Sequence, residues 1–294
     1  MLKIRHSLQR RQTTPAPDPP REHGLRGTSR AYGPVLAPLK TRAVAATIPE
    51  KKEMDLLSII IISKNEEENL PRLLECIGRQ DYDDYEVILS DAHSTDRTRE
   101  IAREAGHRVI DGGMPSAGRN AGAAAARGGL LLFLDADVML PDHFLRDNIA
   151  EFEGRGLDAA GAYVVPDNKR FISRVFHLAL NVYMWYSQLV FPHMPGFCIF
   201  ATKKIHDAIG GFDPSIVLSE DSDYVNRIQR LGRFRMLRSR RVHCSVRRFE
   251  TEGYFVSGVK YILIPFYRLF IGEIRTDVFN YKFDHYKKQD GAAS

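Results

Sequence analysis

Along the chain, short apolar runs alternate with segments of helical period. Leu56–Ile62 forms one apolar run, "YEVILSD" (Tyr85–Asp91) a second, and "LLLFL" (Leu130–Leu134) a third. Their length and continuity predict strands buried on both faces of a sheet. Between the first two, Pro71 to about Gln80 places Leu73, Leu74 and Ile77 at helical spacing. "STDRTREIAREAG" predicts a helix N-capped by Ser94 or Thr95 and stopped at Gly106. "HRVI" predicts a short third strand, and "SAGRNAGAAAARG" a small-residue helix leading into the Leu130 strand. Four alternations of strand and helix imply an α/β domain with a mostly parallel, helix-covered sheet.

In such sheets, ligands bind outside the carboxyl ends of the strands. Those ends carry Lys64–Asn65–Glu66, Asp91 with Asp96, and Asp135 with Asp137. If the Leu130 strand runs on through Asp137, positions 135 and 137 face the same way. Two carboxylates a few ångströms apart repel, and a divalent cation with a diphosphate relieves that repulsion. Alternatively, one aspartate caps the next segment and the other is solvated. Asp91 offers an acceptor for a base N–H or closes an Asx turn. Arg119 is either a planar donor to a base or phosphate, or a solvated surface residue.

In the second half, "AIGGFDPSIVLSEDSDYVNRIQRLG" predicts a turn at Gly210–Gly211 and a helix from Ser222 to Leu231, with Glu220 and Asp221 just before it. Those acids serve either as chemistry or as favourable charge at a helix N-terminus. Phe171–Phe191 approaches the length of a membrane span but contains Arg174, His177, Asn181 and Gln188, which argues against spanning. "YFVSGVKYILIPFYRLFIGEIR" is interrupted by Lys260, Pro265 and Arg268. Both stretches fit either packing helices or amphipathic surfaces on a bilayer.

Composition narrows the partners. The net charge is +5, yet residues 1–50 hold 9 Lys and Arg against 3 Asp and Glu, so the rest of the chain is close to neutral. Nucleic-acid binding by the body is therefore not expected. Residues 1–53 are basic, carry 7 of the 15 prolines and show no sustained period, which predicts a disordered tail with Met54 as an alternative start. Residues 54–245 form the expected catalytic-type domain and residues 246–294 a helical, amphipathic extension. Cys76, Cys198 and Cys244 are scattered, with no CxxC pair, which fits a reduced compartment.

The ordered set "SIIIISKNEEENL", "DAHSTD", "GRNAG", "LFLDAD", "GGFDP" and "SED" resembles the family 2 glycosyltransferases of GT-A fold over roughly Leu56 to His243. The resemblance implies transfer of a sugar from a nucleotide-diphosphate donor to an acceptor hydroxyl, with inversion and Mg²⁺ or Mn²⁺. It implies donor contacts from Ser63, Asn65, Glu66, Asp91, Arg119 and Asp135. It further implies metal ligation by Asp137 and Asp135 with His243 as a third group, Asp221 as general base, and Glu220 and Gly196 on the acceptor side. Arg247 and Arg248 are placed to close over phosphates or to face water. A UDP-sugar is implied ahead of a GDP-sugar, with a glycan or lipid-linked acceptor and a cytoplasmic location, including the cytoplasmic face of a membrane. The Q-x-x-R-W motif of processive synthases is absent, which implies single addition. Rival readings are weaker. A dehalogenase-type phosphohydrolase expects Thr where Met139 stands, and a nucleotidyltransferase expects a glycine-rich loop in place of "SKNEEENL". A non-catalytic sugar-nucleotide-binding protein of the same fold has no need of Glu220–Asp221.

Overall fold

The computed structural model describes residues 56–276, apart from the side chains of Val190 and Arg248. The expected tail, 1–53, and the end of the extension fall outside them. Eight strands form one mixed sheet: β1 (Leu57–Ser63), β2 (Tyr85–Asp91), β3 (Arg108–Asp111), β4 (Leu130–Asp135), β5 (Val138–Met139), β6 (Ala159–Pro166), β7 (Cys198–Thr202) and β8 (Phe234–Cys244). Their order is β3-β2-β1-β4-β7-β6-β8-β5. The four strands of the first half are parallel neighbours, as their apolar runs predict. β7 then inserts antiparallel between β4 and β6.

The helices are α1 (Leu70–Gly78), α2 (Thr98–Glu104), α3 (Pro115–Ala125), α4 (Phe144–Gly154), α5 (Phe171–Val190), α6 (Lys203–Ala208), α7 (Glu220–Leu231), α8 (Arg247–Glu252) and α9 (Tyr254–Phe270). β1 is an inner strand between β2 and β4, and Leu57, Ile59, Ile60 and Ile61 have no exposed surface. The small residues of α3 let it lie close on this strand. A Cβ at Gly122 would come within 2.2 Å of Ile60 Cγ2.

Four boundaries differ from the sequence expectations, each for a local reason. α2 begins at Thr98 with Arg97 at the N-cap, later than a cap at Ser94 or Thr95 would place it, and the Asp96 carboxylate accepts from Thr98 N (3.0 Å). β4 stops at Asp135, and Asp137 lies in the turn to β5, so the two aspartates do not share a strand face. α7 starts at Glu220, which places Glu220 and Asp221 in its first turn. α9 continues through Pro265, whose ring removes one backbone donor without ending the helix. The Gly210–Gly211 turn is as expected, with φ of +75° and +71°.

Candidate active site

A cleft of about 290 Å³ opens at the carboxyl ends of β1 and β4. Ser63, Glu66, Arg119, Asp135, Asp137, Gly196, Glu220 and Asp221 all line it, along with Lys64, Ser245 and Arg247. Residues separated by most of the domain length thus meet in one depression.

Arg119 holds the centre. It projects from α3, is 2% exposed, and spans the two acidic motifs. Its Nη1 donates to Glu220 Oε1 (2.8 Å), and its Nη2 donates to Asp135 Oδ1 (3.1 Å) and to the Gly196 carbonyl (3.2 Å). The guanidinium also lies 5.3 Å from the Phe212 ring centroid. Burial works against its charge, but Asp135 and then Glu220 more than offset that and raise its pKa. Arg119, expected to donate to a base or phosphate, lines the cleft while three of its hydrogen bonds go to protein groups. Its neighbour Asn120 clamps the Gly210–Gly211 turn, donating to the Phe212 carbonyl and accepting from Phe212 N, both at 2.8 Å.

Asp221 occupies the second position of α7, beside Glu220. Burial, followed by the Glu220 charge, pushes its carboxyl up to about 7, against the pull of Arg119. Its Oδ1 accepts from Ser222 N (2.6 Å). The Ser222 hydroxyl in turn meets His193 Nδ1 at 2.9 Å. His193 is buried in the loop after α5, and burial, then Arg268, lowers its pKa to about 3, so it is neutral. No periodicity or motif marks His193 or Ser222 in the sequence. The one available signal is "SED" itself, whose serine-flanked acids open α7.

Asp135 and Asp137 both face the cleft, one at the end of β4 and one in the turn beyond. Mg²⁺ and Mn²⁺ commonly take one or two carboxylates plus phosphate oxygens and water. The pair fits such an ion in the presence of a diphosphate. Among the described residues, no three His, Cys, Asp or Glu side chains converge on a metal position. His243, expected as a third metal group, lies on β8 opposite Met139 of β5 and is not among the residues lining the cleft, whereas the next two, Cys244 and Ser245, are.

Two further residues expected on the donor side, Asp91 and Asn65, are not among those lining the cleft. Asp91 is fully buried beneath the cleft, where it accepts from Ser63 Oγ (3.1 Å), Ser94 N (3.0 Å) and Arg99 Nη1 (3.2 Å). It ties β1, β2 and α2 together and is not among the residues lining the cleft. Asn65, at φ +54°, staples the loops after β1 and β2. Its N donates to Ser94 Oγ (2.8 Å) and its Oδ1 accepts from Thr95 N (2.8 Å). Asn is among the few non-glycine residues that tolerate this backbone region. Glu66 does reach the cleft wall, accepting from Asn69 Nδ2 (2.7 Å) and lying 3.6 Å from Arg247 Nη2.

The opposite wall comes from α5 and α9 and is more apolar, with Leu180, Tyr261 and Ile264. Among the described residues, four buried polar atoms of the lining, Arg119 Nε, His177 Nε2, Ser219 Oγ and Ser257 Oγ, have no hydrogen-bond partner within the protein, although buried polar groups are normally paired.

Residues 58–204, half of the chain, match the family model described as Glycosyl transferase family 2. The chain belongs to this family. A stretch of 136 residues is 35% identical to the 4,4'-diaponeurosporenoate glycosyltransferase of Staphylococcus haemolyticus, covering 42% of this chain and 36% of that relative. The chain therefore matches little more than a third of that enzyme's length. The fold resembles that of S. aureus TarS 1-349 in complex with UDP-GlcNAc (TM-score 0.52, 19% identity, 65% of this chain and 58% of the other). It also resembles the mannosyltransferase PcManGT from Pyrobaculum calidifontis in complex with GDP-Man and Mn²⁺ (TM-score 0.53, 18% identity, 70% and 64%). The family member thus carries the GT-A fold, with the mixed sheet placing its cleft where the apolar strands end.

Proposed function

We propose that this family 2 protein transfers a single sugar, with inversion, from a nucleotide-diphosphate donor to an acceptor hydroxyl. The observation that carries the reading is Asp221, a carboxyl raised to about 7 across the cleft from Asp135 and Asp137, with Arg119 joined to both acidic motifs. A general base works best with a pKa near the operating pH. In the step, Asp221 takes the proton of the acceptor hydroxyl while that oxygen bonds the anomeric carbon. The bond from that carbon to the diphosphate oxygen breaks on the opposite face, and its electron pair leaves with the nucleotide diphosphate.

Ser63, Lys64 and Glu66 border the donor side. Asp137, with Asp135, would hold Mg²⁺ or Mn²⁺, which would supply Lewis-acid neutralisation of the departing diphosphate. Support for a nucleotide-sugar donor and a divalent ion comes from the ligands named with the two fold neighbours, UDP-GlcNAc in one and GDP-Man with Mn²⁺ in the other. A UDP-sugar is the first donor to try and a GDP-sugar the second. The acceptor approaches along the α5–α9 wall, where His177 Nε2 and Ser257 Oγ await partners. Its apolar lining suits an acceptor carried on a lipid, at the cytoplasmic face of a membrane.

The test is transfer from radiolabelled UDP- and GDP-sugars to a lipid extract, assayed against pH. Asp221 is protonated below its pKa and a base must be unprotonated, so transfer falls as pH drops through about 7. Asp221→Asn is expected to lose about 10²–10⁴-fold in transfer and to keep donor binding. Transfer by Asp221→Asn equal to wild type would remove Asp221 as the base.

A further inference from the structure

A surface helix ordinarily turns its apolar stripe inward and its polar face to water. α5 and α9 do not. They pack on each other through Phe176, whose ring centroid lies 5.6 Å from that of Tyr254 and 6.2 Å from that of Tyr261, and through Ser173 Oγ and Tyr254 OH at 2.7 Å. Their inner sides line the cleft. Their outer sides are apolar as well, as Leu178 (62% exposed), Trp185 (50%), Leu189 (59%), Phe255 (83%), Phe266 (56%) and Phe270 (77%) illustrate. Contiguous apolar patches beyond a few hundred Å² are rare on monomers and mark interaction sites.

The formal charges carried by the two helices themselves are positive, and the neighbouring carboxylates Glu250, Glu252 and Glu273 are each paired. Neither helix contains an Asp or Glu. Arg268 of α9 is buried against Glu273, and Lys260 pairs with Glu252. Lys169, Arg170 and Arg174 are exposed where α5 begins, with Arg170 also 3.0 Å from Glu250. No described helix is long and apolar enough to cross a membrane. An apolar face with aromatic residues and a cationic end suits the plane of a bilayer interface. A second copy of the chain is the poorer occupant, because the two helices offer no carboxylate to receive those cations.

We propose that the outer face of α5 and α9 docks on a bilayer containing anionic lipid, so that an acceptor anchored there enters the cleft between the same two helices. The acceptor half of this statement rests on the proposed transfer activity; the docking half stands without it.

The experiment is flotation of the full chain with phosphatidylcholine vesicles, with and without phosphatidylglycerol. The protein is expected to float with the anionic vesicles. The double variant Leu178→Glu/Phe266→Glu, changed only at exposed positions, is expected to bind about ten-fold less or worse. It should retain its circular dichroism spectrum and its nucleotide binding. Lys169→Gln and Arg174→Gln should each cost roughly five-fold on anionic vesicles. Three results would overturn the proposal. They are no flotation of wild type with either vesicle, flotation of the double-glutamate variant equal to wild type, or a dimer by light scattering that the double variant dissociates without any vesicle binding. Nucleotide binding is measured in parallel without lipid, so failure of docking and failure of the donor site are separate outcomes.

Discussion

Arg119 carries more of the site than any other side chain, and its role depends on residues far away in the chain. Its partners Asp135 and Glu220 lie 16 and 101 positions away. Removing one member of a buried charge network leaves the others uncompensated, at a cost of about 3–5 kcal/mol. Arg119→Met is therefore expected to lower stability by about that amount, read from urea denaturation, and to shift Asp221 further upward by removing the stronger of the two cations, Arg119 and Arg268, that pull it down. A loss below about 0.5 kcal/mol would show the network to be of little consequence. The carboxylates Asp135, Asp137 and Asp221 were legible as cleft residues because each follows a local signal: the end of an apolar run or the start of a helix. The commitments of Asp91, Asn65 and Arg119 were not, since their hydrogen bonds bridge loops 16 to 101 residues apart. His243, whose residue type suits a metal, lies on β8 just before the cleft-lining Cys244 and Ser245 without being part of the lining itself.

At the scale of elements, the first half was readable because buried parallel strands and amphipathic helices have different periods. The second half was less so. β6, β7 and β8 are set by pairing across long separations, and the antiparallel insertion of β7 leaves no local mark. That insertion matters for the site, since the loop entering β7 brings Gly196 against Arg119 and Asp221. A Cβ at Gly196 would lie 2.5 Å from Arg119 Nη2 and 3.1 Å from Asp221 Oδ2. The guanidinium has no slack, being held by three hydrogen bonds. Gly196→Ala is expected to cost about 1–3 kcal/mol by thermal unfolding, and to reduce transfer more than donor binding. Wild-type transfer by this variant would show that the contact yields easily.

The whole domain presents two surfaces of opposite kind. One is a cleft at the strand ends, rich in carboxylates and crossed by a single buried arginine. The other is the apolar outer face of α5 and α9, whose inner sides wall that cleft. The near-neutral charge of the chain beyond residue 50 agrees with a small anionic donor met by local groups rather than by a broad field. The central claim is that Asp135 and Asp137 hold a nucleotide diphosphate through a divalent ion. Calorimetric titration of UDP and GDP into the full chain tests it most directly, with and without Mn²⁺, alongside Asp137→Asn and Asp221→Asn. The account predicts Mn²⁺-dependent binding of one nucleotide, weakened about ten-fold or more in Asp137→Asn and retained in Asp221→Asn. Binding of neither nucleotide, or binding indifferent to Mn²⁺ and to Asp137, would contradict it.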